Sequence, residues 1–163
     1  MNLVLTAESI IEAIGDNPVV IVDVETSSLY PWRDGKILAG VGVKPLGGEC
    51  FYLPFRHKNG GKQAAFKELV KLGEALRGRE LVFHNPKFDL AVLWQDGLRL
   101  IDEDITDTVV LVRLVSEDEP SYELKRLAKK YLDPDAGISQ KALRALIKKM
   151  GWYEIDESGD VVL

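Results

Sequence analysis

The sequence is short of the residues that build metal cages and covalent staples. Its 163 residues hold one cysteine, Cys50, and two histidines, His57 and His84. A lone cysteine excludes an internal disulfide and fits a reducing compartment. Two histidines and one cysteine, so spaced, exclude a zinc cage. Long apolar runs are also missing, and the start MNLVLTAES has neither a basic segment nor a small-residue cleavage site. The expected location is therefore the cytoplasm, with no membrane partner. Net positive charge is absent too: 21 Lys and Arg stand against 26 Asp and Glu, a balance of −5. That argues against binding nucleic acid by overall charge alone.

What is there is uneven. Residues 56 to 79 and 125 to 149 are rich in Lys and Arg, whereas IDEDITD, SEDEP and EIDESGD are acidic. A basic rim around an acidic, metal-holding centre is compatible with such a pattern, as are ordinary solvated helix faces. No repeat, low-complexity stretch or linker interrupts the chain, whose length suits one domain with a good core. The expectation is a single domain over residues 1–163.

Periodicity and punctuation give the order of elements. TAESIIEAIG reads as a helix with Thr6 as N-cap, and VVIVDVE as a buried strand. SSLYPWRDGK reads as a loop with a turn at Arg33 to Lys36. KILAGVGV and ECFYLPF form a hairpin about the turn from Pro45 to Gly48. After the loop RHKNGGK, QAAFKELVKLGEALRG has helical period and is closed by Gly78. ELVFHN is a fourth strand, and NPKFDLAVLWQDG a helix with Asn85 as N-cap, Pro86 at its first position and Gly97 past its end. A short strand and helices at 107–115, 121–131 and 138–149 follow, then a hairpin in WYEIDESGDVVL. Antiparallel strands first and strand–helix alternation afterwards predict an α/β fold, a mixed sheet flanked by helices.

The stretch VVIVDVETSSL carries the first chemical signal. Asp23 and Glu25 share one face of a strand and repel each other, so they either face water or are held together by a cation. Asp89 stands near the start of the helix after ELVFHN. If those two strands are neighbours, three carboxylates converge, and hard oxygen ligands in that number suit Mg²⁺ or Mn²⁺. Each acid alone also has a plain structural reading: Asp23 and Glu25 as solvated strand-end residues, Asp89 as a first-turn acid favoured by the helix dipole.

DVETSSL resembles the first motif of the DEDD 3′–5′ exonucleases, and HNPKFDLAVL is similar to the second. The spelling leans towards the proofreading domain of phage-type family A DNA polymerases. Asp107-Thr108, SYELKRLAKKYL and the loop YLPFRHKNGG continue the likeness, which covers about residues 17 to 150. The resemblance implies a ribonuclease H-like fold and a two-metal site in which Asp23 bridges both ions, Glu25 binds one, and Asp89 holds the other through water. It implies hydrolysis of the last phosphodiester to a nucleoside 5′-monophosphate. Thr26 and Leu29 would meet the terminal nucleotide, Leu29 as a wedge, while Asn85 and Phe88 would line the cleft. The implied partners are a single-stranded or frayed DNA 3′ end and a polymerase domain C-terminal to this chain.

The family's third motif, a fourth Asp preceded by Tyr or His, is not found. Tyr153 has Glu157 four residues on, in a tail that reads as a hairpin, and Asp156 and Asp160 fit no better. The expectation is a chain that stops before that motif and is a weak nuclease by itself. The alternatives are a catalytically incomplete scaffold that binds DNA ends or supports a polymerase, and an RNA-processing exonuclease of the same fold. Among smaller features, Arg56 and His57 are candidates for the phosphate-contacting edge of the cleft, with a plain solvated loop as the alternative. His84 reads as a packed or capping residue, Asp107-Thr108 as a helix cap, Cys50 as packing, and the spread-out Trp32, Trp94 and Trp152 as core or edge packing rather than a base-stacking platform.

Overall fold

A computed structural model describes residues 1–35, 37–57 and 61–136, with short pieces at 154–155 and 161–162. The chain divides into two compact units, Met1–Leu111 and Val112–Leu163. In chain order the elements are β1 (Asn2–Leu3), α1 (Glu8–Ile14), β2 (Val19–Thr26), α2 (Pro31–Asp34), β3 (Leu38–Pro45), β4 (Phe51–Pro54) and α3 (Lys67–Leu76). They continue with β5 (Glu80–Phe83), α4 (Pro86–Gln95), β6 (Asp104–Asp107), α5 (Thr108–Val115), α6 (Leu124–Tyr131), β7 (Glu154–Ile155) and β8 (Val161–Val162).

The first unit is built on a six-stranded mixed sheet in the order β1-β4-β3-β2-β5-β6. β2, β3 and β4 pair antiparallel, and β5 and β6 extend the sheet in parallel with β2. This is the mixed sheet the sequence predicted, with β2 beside β5 as the convergence of acids requires. The edge strand β1, parallel to β4, is an addition. Two residues are too few to show any period, so the sequence could not signal it.

β2 reads by alternation. Val20, Val22 and Val24 are buried on one face, while Asp23 and Glu25 point to the open one. Under the buried face lie Ile10 and Ile14 of α1 and Leu69, Leu72 and Leu76 of α3, in one apolar cluster with the strand residues. The helix α3 shows its period in those leucines, and Gly78 takes φ 70° beyond its end, a conformation other side chains resist.

Several local expectations are corrected. Thr6 does not cap α1, whose N-cap is Ala7. A buried donor at the helix start is instead met from another element, Ala7 N–H donating to Glu68 Oε2 at 2.9 Å. A tertiary carboxylate does what a local hydroxyl was expected to do. The stretch after Leu29 is not only a loop, because Pro31 opens the short helical turn α2. Asn85 is the N-cap of α4 but makes no side-chain cap bond; it sits at φ 66°, ψ 62°, the left-handed region that asparagine tolerates better than most residues. Lys36, the loop 58–60 and the expected helix at 138–149 lie outside the described residues, as do Trp152, Tyr153, Asp156, Glu157 and Asp160.

In the second unit, α6 has exposed Lys125, Arg126, Lys129 and Lys130 and a buried Leu127. Lys130 pairs with Glu119 at 2.6 Å, and the Tyr131 hydroxyl donates to the same carboxylate. β7 and β8 pair antiparallel, as the tail hairpin predicted. No helix among the described residues is long and apolar enough to cross a membrane.

Candidate active site

The open face of β2 begins the site. Asp23 pairs with Gly42 of β3, and Gly42 with Tyr52 of β4; one step on, Glu25 pairs with Gly40 and Gly40 with Pro54. Cross-strand partners share a face, so the two acids look across two glycines towards Tyr52. The glycines matter sterically at Gly40: a Cβ there would fall inside the Tyr52 hydroxyl and ring. Tyr52 therefore leans over Gly40 towards Glu25, and the register, not its sequence neighbours, brings it there.

Asp89 comes from the first turn of α4. It is 6% exposed, a buried carboxylate beside two that face the open side. Its Oδ1 accepts the Val24 N–H at 3.1 Å, which places it at the backbone between Asp23 and Glu25. Burial, and next the charge of Asp23, push its carboxyl up to about 6, against the pull of the Val24 N–H. Asp23 is exposed by area, yet enough protein surrounds its carboxyl that desolvation raises its pKa, while the charge of His84 works the other way. Burial and then the charges of Glu25 and Asp23 push the Tyr52 phenol up to about 12. Negative charge is thus concentrated at one end of one strand.

Two flanks frame these acids. On one side, the Tyr52 hydroxyl lies 2.8 Å from His57 Nε2, with the rings edge to face. His57 is held by its backbone as well: Gln63 accepts its N–H at 3.0 Å and donates to its carbonyl at 2.9 Å. On the other side, His84 Nδ1 is 2.7 Å from Thr108 Oγ1, and that hydroxyl donates to the Phe83 carbonyl at 3.1 Å. Thr108 thus links the His84 ring to the β5 backbone. Asp107 accepts both the Val109 and Asn85 N–H groups, at 2.8 and 3.1 Å. It caps α5 as expected and also ties down the left-handed turn before α4.

The remaining candidates are spread around this centre. Leu29 is 72% exposed beyond the end of β2. Thr26 donates its hydroxyl to the Ser28 carbonyl at 2.8 Å, shaping the same turn. Phe88 packs partly buried against the core cluster, next in sequence to Asp89. Arg56 is differently placed: its guanidinium makes a two-pronged pair with Asp96 at 2.8 and 2.6 Å and stacks over Phe66 at 3.9 Å. Tyr52 and His84 were the residues sequence reasoning missed as neighbours of the acids. The signal for Tyr52 was there in the hairpin register, since Gly40 and Gly42 fall opposite the acids.

Trp32 and Trp94 are not core residues. They are 75% and 56% exposed.

The donors present are carboxylate oxygens, the hard set that Mg²⁺ and Mn²⁺ prefer. No ready-made group of three or more Asp, Glu, His or Cys positioned for a metal occurs among the described residues. That does not disqualify Mg²⁺, which commonly takes one or two carboxylates and keeps several waters. The placement of Asp89 at the Val24 N–H, between Asp23 and Glu25, is the observation that fits a cation, because a positive ion offsets both the burial of its carboxylate and the charge of Asp23 beside it.

A sequence profile of 3′–5′ exonucleases matches residues 5–153. Among solved structures, Brucella melitensis NrnC bound to pGG is similar at 26% identity and a TM-score of 0.57, covering 81% of this chain and 58% of that one. This chain thus spans less than two thirds of that relative. The same protein with bound Mg²⁺ aligns at 21% identity and a TM-score of 0.57, over 92% and 81% of the two chains. Escherichia coli RNase D, an exoribonuclease involved in structured RNA processing, shares the fold at 19% identity and a TM-score of 0.58, over 81% of this chain and 34% of that one. No curated protein matches the sequence.

Proposed function

The chain belongs to the 3′–5′ exonuclease family and has its ribonuclease H-like fold, and we propose that it shortens single-stranded or frayed nucleic-acid ends from the 3′ terminus, releasing nucleoside 5′-monophosphates. The observation that carries this reading is the grouping of Asp23 and Glu25 on one face of β2 with Asp89 tied to Val24 between them. These three carboxylates are the proposed ligands of Mg²⁺ or Mn²⁺; the related NrnC has been solved with Mg²⁺. Such an ion, when bound, supplies an activated water and neutralises charge at the scissile phosphate. The chain itself orients the acids: the β2 pleat aims Asp23 and Glu25, and the Val24 N–H fixes Asp89. Leu29, exposed at the strand end, serves as the wedge against the last base, with Thr26 shaping its turn. Phe88 supports Asp89 from the core, and the left-handed Asn85 sets the entry of α4. His57, held by Tyr52 and Gln63, is the phosphate-side edge, while Arg56 braces the loop through Asp96.

The motif spelling favours DNA and a proofreading role beside a polymerase domain. A second reading, RNA or short oligonucleotides, is favoured by the 26% identity to a protein solved with pGG. One experiment addresses both: 5′-labelled DNA and RNA oligonucleotides and a dinucleotide are incubated with the chain and Mn²⁺, beside Asp23→Ala/Glu25→Ala. Metal-dependent 3′ shortening that the double variant abolishes supports the enzyme, and the preferred substrate selects the reading. An intact fold that binds the oligonucleotides without shortening them would instead support the incomplete scaffold.

A further inference from the structure

Leu29, Tyr30 and Trp32 are 72%, 46% and 75% exposed, three large apolar side chains within four residues of chain. Isolated exposed leucines need no explanation, but a cluster of this kind marks a contact surface. Here the cluster is also held still. The Tyr30 and Trp32 rings meet edge to face at 6.1 Å and 79°, and the Arg33 guanidinium lies 4.4 Å over the Tyr30 ring. Asp34 accepts from Arg33 Nε at 2.8 Å and from the Ser28 hydroxyl. Ser28 Oγ accepts the Tyr30 N–H at 3.1 Å, and Ser27 N–H reaches back to the Ile37 carbonyl at 2.9 Å. An aromatic surface fixed in this way loses little conformational freedom on binding.

We propose that Trp32, backed by Tyr30, is a stacking subsite for an unpaired nucleobase of the substrate strand, next to the carboxylate site. The inference rests on the exonuclease reading and adds a contact to it. Placement supports it from two directions. α2 follows Glu25 by way of Leu29, and it packs beside α4, the helix that carries Asp89. The chemistry selects a base over a phosphate: among the described residues of the turn the cation, Arg33, is already paired with Asp34, so what those residues present is flat and apolar. Every base has a π face, so such a subsite takes DNA or RNA of any sequence.

The test uses the whole chain, Ca²⁺ in place of a catalytic ion, and 5′-fluorescein octathymidylate as the probe. Anisotropy reports affinity, and tryptophan fluorescence on unlabelled octathymidylate reports stacking. Trp32→Leu is expected to weaken binding about tenfold and to remove most of the quenching, whereas Trp94→Phe keeps both. Trp32→Tyr should restore most of the affinity, because stacking asks for an aromatic face and a merely apolar filler would not be rescued by it. A fully abasic strand should bind the parent and Trp32→Leu equally. Unchanged affinity for octathymidylate in Trp32→Leu overturns the subsite alone and leaves the exonuclease reading standing. A parent chain that binds no single strand at all would overturn both.

Discussion

Asp89 Oδ1 accepts a hydrogen bond from the Val24 N–H at 3.1 Å, so a helix carboxylate takes the place of a strand partner. The pairing of β2 with β5 runs from Val19–Glu80 to Ile21–Val82, and Val24 lies beyond it. Where the neighbouring strand has turned into α4, the backbone donor still needs an acceptor, and the first turn of that helix supplies one. The bond sets Asp89 between two other acids and buries it there. Its position is thus fixed by main-chain accounting, and its chemistry by the charge this accounting crowds together.

The raised carboxyl of Asp89 gives the metal-free protein a specific pH dependence. An acid whose folded pKa lies above its unfolded value holds its proton more tightly when folded. Its contribution is therefore fully present below the ordinary carboxylate range and is lost as pH rises through about 6. The size is on the order of 2–3 kcal/mol for a shift of this kind. Urea unfolding in EDTA between pH 4 and 7 should show the parent losing stability relative to Asp89→Asn as pH rises, whatever the slope contributed by the other carboxylates. Adding Mn²⁺ should stabilise the parent more at the upper end of that range than at the lower, since the ion favours the charged form. A parent and Asp89→Asn with the same profile would mean that Asp89 is not a perturbed group.

Gly40 keeps Tyr52 in place by lacking a side chain. Gly40→Ala puts a methyl where the Tyr52 hydroxyl now lies, and the ring must swing away from His57. Tyr52→Phe breaks the same bond without moving the ring. Both should change the His57 ring-nitrogen signals in nitrogen NMR and lower kcat/KM about three- to tenfold, with the fold retained. If Gly40→Ala is silent while Tyr52→Phe is not, the hydroxyl acts without His57.

Arg56→Ala is expected to cost stability and to leave strand binding alone. The Asp96 side chain is fully buried and takes two bonds from the guanidinium, so removing that partner should cost about 2–4 kcal/mol. Arg56→Lys should recover only part, because an ammonium cannot match the fork or stack on Phe66. Chemical denaturation and octathymidylate affinity, measured together, separate the roles. A tenfold loss of affinity with unchanged stability would return Arg56 to the phosphate-contacting role its sequence position suggested.

How far the sequence could be read depended on the range of the interactions involved. The alternation of VVIVDVET, the leucines of α3 and the Pro86 start of α4 are local, and each element formed where its pattern lies. Thr6 and Asn85 show where local reasoning ends. Thr6 was chosen as a cap from residue type, yet Glu68 serves the Ala7 N–H; Asn85 does take the N-cap position of α4, but its own N–H is served by Asp107, also distant in the chain. Trp32 failed differently, since a large aromatic is normally worth burying, and nothing local shows that its turn lies outside the core.

By itself, the sequence determined which residues could face water together on β2, where the longer strands and helices of the first unit would form, and that three acids stood at the ends of elements able to meet. Period and composition suffice for that, because they act over a few residues. Only the tertiary structure decided that Tyr52 would reach the acids over Gly40, that Asp89 would be pinned to Val24, and that Arg56 would turn to Asp96. Those outcomes follow from strand register and from the need of each buried polar group for a partner, and both are settled between segments rather than within them.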